Sequence, residues 1–145
     1  MNITLCVSVP DGGLAMLMNL AQSAAKLASG RHEISIDFTY NSDAERDAIL
    51  AADMPVTLGK SHFVQPEKMT RLAMRSVVHS RCINALFAGA EGDVAAICDY
   101  DVAFVRKGWD QILVDKILTQ GLAFFGTPYS TVDSLPIMSF GTMQV

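Results

Sequence analysis

Residues 33–40, Glu-Ile-Ser-Ile-Asp-Phe-Thr-Tyr, alternate polar and apolar side chains without a break. Period two belongs to an extended strand, whose successive side chains leave on opposite sides. The flanking segments change period. Before it, Leu14, Leu17, Met18, Ala21, Ala24 and Ala25 recur at helical spacing, with Asp11 a predicted N-cap and Gly30 a predicted stop. After it, Ser42-Asp43-Ala44-Glu45 has the S-x-x-E form of a capping box and predicts a short helix to about Ala52.

The same alternation of periods continues along the chain. Residues 3–9 read as a strand closed by Pro10, and residues 55–58 as a brief third strand followed by a loop over 59–65. Pro66 suits the first turn of a long helix carrying Met69, Leu72, Val77, Cys82, Ile83 and Leu86. Gly89 and Gly92 bracket a turn into a strand over 94–98, and Trp109 or Asp110 opens a further helix that Gly121 stops. A fifth strand is predicted over 122–125, and the remaining tail shows no sustained period.

Strands alternating with helices predict a single three-layer α/β/α domain over residues 1–145, built on a mostly parallel central sheet. Ligands of such sheets bind beyond the carboxyl ends of the strands. Three of those ends carry polar groups: Pro10 and Asp11, Asn41 and Ser42, and Asp99-Tyr100-Asp101.

The net charge of −4 argues against a general nucleic-acid binder, while leaving room for a nucleotide held by a few local groups. Cys6, Cys82 and Cys98 form no C-x-x-C pair and sit in apolar surroundings, as reduced core thiols do. No basic leader is present, and Asn19, Gln22, Ser23 and Lys26 interrupt the apolar stretch over 14–28, so no transmembrane segment and a cytoplasmic location are expected.

The apolar run 94–98 ends at two carboxylates, Asp99 and Asp101. In an extended chain, residues two apart point to one side. Two hard oxygen ligands there suit Mg2+ or Mn2+, which would keep waters and take substrate phosphates as further ligands. The competing reading makes both residues turn and capping groups, and on spacing alone it is the better one.

The surrounding residues shift that balance. An Asn84-containing helix end, the step Ala90-Glu91-Gly92-Asp93, the apolar strand, Asp99-Tyr100-Asp101, and then Gly108-Trp109 together resemble the donor-site core of GT-A glycosyltransferases, specifically those of family-2 type. The resemblance implies a nucleotide-diphospho-sugar donor, a divalent metal at Asp101 with Asp99, and transfer of the sugar to an unknown acceptor, whether glycan, lipid or protein. It places Pro10, Asp11, Asn41, Asn84, Asp99 and Tyr100 in donor binding and assigns no catalytic base. In that family an acceptor-binding half follows. The chain given ends at Val145, so this half is expected to be short or missing. An apolar edge left uncovered in that way would favour a homo-oligomer.

Two alternatives stand beside this reading. One is a non-catalytic nucleotide-binding or interaction module with the same fold. The other is a haloacid-dehalogenase-type phosphatase, whose nucleophile would be Asp99, although few residues follow the acids to supply its remaining motifs. Arg71, Arg75 and His79 share a helix face and read best as a solvated surface, while Arg106-Lys107 suit a solvated turn. His32 and His62 have no partner at zinc-ligand spacing. Trp109 reads more readily as core packing than as a sugar platform.

Overall fold

The computed structural model describes residues 1–65 and 71–120. The expected start of the long helix at Pro66, the fifth strand over 122–125 and the tail lie outside the described residues. The elements run β1 (Asn2–Ser8), α1 (Leu14–Leu27), β2 (Glu33–Tyr40), α2 (Asp43–Ala51), β3 (Thr57–Phe63), α3 (Arg71–Gly89), β4 (Val94–Asp99) and α4 (Trp109–Gln120). Among the described residues the sheet has four strands in the order β3-β2-β1-β4, all parallel.

β1 is the central strand. Ile3, Leu5 and Val7 pair with Ile34, Ile36 and Phe38 of β2 on one side, and with Val94, Ala96 and Cys98 of β4 on the other. These side chains share one face. Against it pack Leu17, Leu20, Ala21 and Ala24 of α1, Ile49 of α2, and Trp109 and Val114 of α4. The opposite face carries Thr4 and Cys6 beside Ser35 and Asp37, and α3 lies over it with Cys82 and Leu86 buried. The period-two alternation of β2 therefore marks an apolar face and a polar face that are both covered. Asp37 and Thr39 are only 4% and 1% exposed.

Local chemistry fixes the ends of the elements. The capping box forms: Ser42 Oγ accepts from the Glu45 N–H at 3.2 Å. Its return bond runs from the Asn41 N–H to Glu45 Oε2, one residue earlier than the usual N-cap amide. The expected N-cap at Asp11 gives way to Gly13, which has no side-chain cap bond. The turn before α1 is too tight for a larger residue: a Cβ on Gly13 would lie 2.9 Å from Pro10 O, and Gly12 has φ +77°.

The third strand also differs from expectation, beginning at Thr57 and running through the segment read as a loop. It is an edge strand among the described residues, so Thr57, Leu58, Ser61, His62 and Phe63 pair with β2 without a hydrophobic period to announce them, and Gly59 and Lys60 fall in the irregularity between. A register shift between Ile36 and Phe38 is bridged by Asp37, whose Oδ1 accepts the Lys60 N–H at 2.8 Å.

Between β4 and α4, residues 100–108 form a strap held along α1. Phe104 N–H donates to Ser23 Oγ and Gly108 N–H to Leu27 O. Trp109 Nε1–H donates to Ala24 O, and its ring stacks on Phe104 at 3.9 Å. Asp110, fully buried, accepts from both the N–H and the hydroxyl of Ser29. Burial alone would raise the Asp110 carboxyl, but the Ser29 bonds and the backbone N–H groups at the start of α4 hold it below the usual carboxylate range.

Asp110→Ala is expected to cost about 2 kcal/mol, because it strands two Ser29 donors, while Trp109→Phe, which keeps the stack and loses one hydrogen bond, is expected to cost about 1 kcal/mol. A group with a depressed folded pKa contributes stability above its unfolded pKa and loses it as pH falls through the folded value. Urea unfolding at neutral pH and again well below pH 4 should show the Asp110→Ala penalty shrinking with acid.

Candidate functional site

β1, β2 and β3 follow one another toward one edge of the sheet, whereas β4 returns to the other side of β1. The order therefore reverses between β1 and β4, while the chains leaving both carboxyl ends, α1 and the strap, pass to the same face of the sheet. The space beyond the carboxyl ends at such a reversal is where ligands of a parallel sheet commonly bind. Here its walls are Pro10 and Asp11 after β1, and Asp99 to Asp101 at the end of β4, with Ser8 level with Asp99.

Asp99 is the last residue of β4, and the Val102 N–H to Asp99 O contact at 3.4 Å closes a turn over 99–102. The two acids are thus on a strand end and a turn, not on one extended stretch as the spacing predicts. Both are exposed, and neither has a hydrogen-bond or ion-pair partner among the described residues. Tyr100 between them is half-buried and packs against the main core.

The residues around the acids have structural work instead. Asp93 Oδ2 accepts the Asn2 N–H at 2.9 Å, tying the entry of β4 to the start of β1. Gly92 passes so close to β1 that a Cβ would meet Thr4 Oγ1 at 2.5 Å. Gly108, Trp109 and Asp110 fasten the strap to α1. Asp99 and Asp101 stand out as the two members of the 92–110 acidic set without such a role.

Across the crevice, the ends of β1 and β2 bring Asp11, Asn41 and Glu45 together. Glu45 Oε2 accepts the Asn41 N–H at 3.1 Å, while its Oε1 is buried without a partner. Burial raises the Glu45 carboxyl above its usual range. The Asn41 N–H opposes this, and the neighbouring Asp11 carboxyl adds to the rise. Glu45 was legible in sequence only as a capping residue. Its place beside Asp11 follows from where the cap lies, one turn beyond β2. Asn84 is exposed on α3, in the opposite layer from α1 and the strap.

The N-terminus of α1 opens from the same end of β1, with no side-chain cap and no acidic residue in its first turn. Its free N–H groups and positive dipole end favour an anion. No group of three His, Cys, Asp or Glu side chains among the described residues converges as a closed metal cage. The thiol of Cys98 is pushed up to about 12 by burial, with Cys6 and Asp99 adding to it, so it is no nucleophile at neutral pH. No helix among the described residues is long and apolar enough to cross a membrane.

No protein-family model matches the chain, and a search of curated proteins returns no match.

Asp11→Asn removes a charge beside Glu45. The Glu45 carboxyl should then titrate at lower pH, followed by its side-chain carboxyl carbon signal in NMR. An unchanged midpoint would show that Asp11 does not act on it.

Proposed function

We propose that the carboxyl-end crevice between β1 and β4 binds a nucleotide-diphospho-sugar with a divalent cation, Mn2+ or Mg2+, at Asp99 and Asp101, and that the protein is a GT-A-type glycosyltransferase. The observation that carries this reading is the pair of exposed carboxylates at the reversal of strand order, without partners among the described residues. Two carboxylates leave most of a divalent cation's coordination sphere to waters and phosphate oxygens, so the donor set fits a metal that arrives with a diphosphate.

Asp101, on the turn, would hold the metal, with Asp99 beside it at the end of β4 and within reach of the ribose or sugar. The bound cation would supply Lewis acidity that neutralises the departing nucleoside diphosphate. The uncapped N-terminus of α1 would add N–H donors and a favourable dipole to the phosphates. At the other wall, the exposed Asp11 is an acceptor for the N–H edge of a base, and Glu45 lies behind it with its Oε1 buried and without a partner among the described residues. Pro10 and Asn41 shape the same pocket end. In transfer, the bond from the anomeric carbon to the diphosphate oxygen breaks and a bond to an acceptor oxygen forms. The free thiols Cys6, Cys82 and Cys98 suit a reducing, cytoplasmic setting.

Calorimetry with UDP- and GDP-sugars tests the reading. Binding is expected with Mn2+ and is expected to weaken about a hundredfold without it or in Asp101→Ala, roughly the loss of one charge-assisted contact set. Absence of binding by every nucleotide-sugar in saturating Mn2+ overturns the proposal. Release of free sugar from a bound donor separates a transferase from a binding module.

A further inference from the structure

At the opposite end of the sheet, on the face that α3 covers, lies a cavity of about 470 Å3 lined by Thr4, Glu33, Ser35, Asp37, Lys60 and Glu91 among others. We propose that this cavity binds a small organic cation whose ammonium group donates to Asp37. The inference does not rest on the nucleotide-sugar reading, because no lining residue belongs to the carboxyl-end crevice.

Both faces of a parallel sheet are normally apolar, since helices bury both. Here the α3 face carries Thr4, Ser35 and Asp37 side by side on paired strands. Asp37 is 4% exposed, and its Oδ1 is occupied by the Lys60 N–H. Oδ2 has no partner among the described residues, although Asp37 lines the cavity. Oδ2 is open to the cavity, where a donor on a ligand can reach it. The sequence makes room for that carboxylate: a Cβ at position 59 would clash with Asp37 Oδ1, so β3 has glycine there.

Charge selects the ligand. Lys60 is the cation of the lining, and its Nζ is engaged by Glu91 Oε1 and by Gly89 O. Among the described residues, Glu33 and Asp37 have no ion-pair partner. The hydroxyls of Thr4 and Ser35 lie 3.4 Å apart and hydrogen-bond to each other, so they place less demand on a ligand than Asp37 does. A bare divalent ion lacks a third converging ligand among the described residues. An ammonium, with three donors on one carbon chain, matches the open oxygen of Asp37 and a second carboxylate, the exposed Glu33, in the same lining. The volume lies within the range of small-molecule sites, roughly 300–1,000 Å3.

Putrescine serves as the amine probe and glucose as a neutral polyol, each titrated to about 10 mM, a ceiling that detects even millimolar Kd values, into the 15N-labelled full chain. Putrescine is expected to shift the Ser35 and Lys60 amide signals saturably, and glucose is expected to leave them in place. Asp37→Asn should weaken putrescine at least about tenfold, and Glu33→Gln, at an exposed position, by a few-fold. If Asp37→Asn does not fold, Glu33→Gln alone decides. No saturable shift with putrescine, equal response to glucose, or unchanged affinity in the folded variants overturns the proposal.

Discussion

Parallel pairing on both flanks of β1 is the constraint on which the rest of the structure depends. Because β2 and β4 both run parallel to β1, neither can be reached by a tight hairpin, and each return must cross the sheet. The helices follow from that. α1 and α2 cover the face bearing Ile3, Leu5 and Val7, and α3, on the longer path from β3 to β4, covers the other. The same pairing sets Ser8 level with Asp99 and brings Pro10-Asp11 and the two acids to one end of adjacent strands. The candidate site is thus a by-product of strand order before it is a matter of side chains.

A second device holds one wall of the crevice. The strap over 100–108 leaves the turn at Asp101 and is bonded to α1 at Ser23, Ala24, Leu27 and Ser29, directly or through the first residues of α4. α1 in turn begins at the Gly12-Gly13 turn on the opposite wall. One helix therefore spans from the turn after Pro10 and Asp11 to the anchor of the strap that carries Asp101. Loosening Trp109 or Asp110 would be felt at the acids through this path, without either residue touching a ligand.

Part of this was legible in the sequence. β2 and the Ser42–Glu45 cap were visible because period two and capping chemistry are local properties. β3 was not, because an edge strand carrying Gly59, Lys60 and His62 needs no apolar stripe and takes its register from Asp37, a residue more than a turn of chain away. Gly92, Asp93, Gly108 and Trp109, which carry much of the resemblance to GT-A enzymes, prove to have packing and hydrogen-bonding roles in this fold. That narrows the functional signal to Asp99 and Asp101, for which no structural partner exists among the described residues. The covered polar face around Asp37 could not be read from alternation alone, since alternation does not say whether the polar side meets water or a helix.

The central claim, that a metal and a diphosphate meet at the reversal of strand order, is tested most directly by paramagnetic broadening. Mn2+ added to the 15N-labelled chain with a nucleoside diphosphate should erase the amide signals of residues 8–14 and 99–102 while sparing those at the amino ends of the strands, and Asp101→Ala should restore them. Broadening that is scattered over the acidic surface, or that persists unchanged in Asp101→Ala, would contradict the claim.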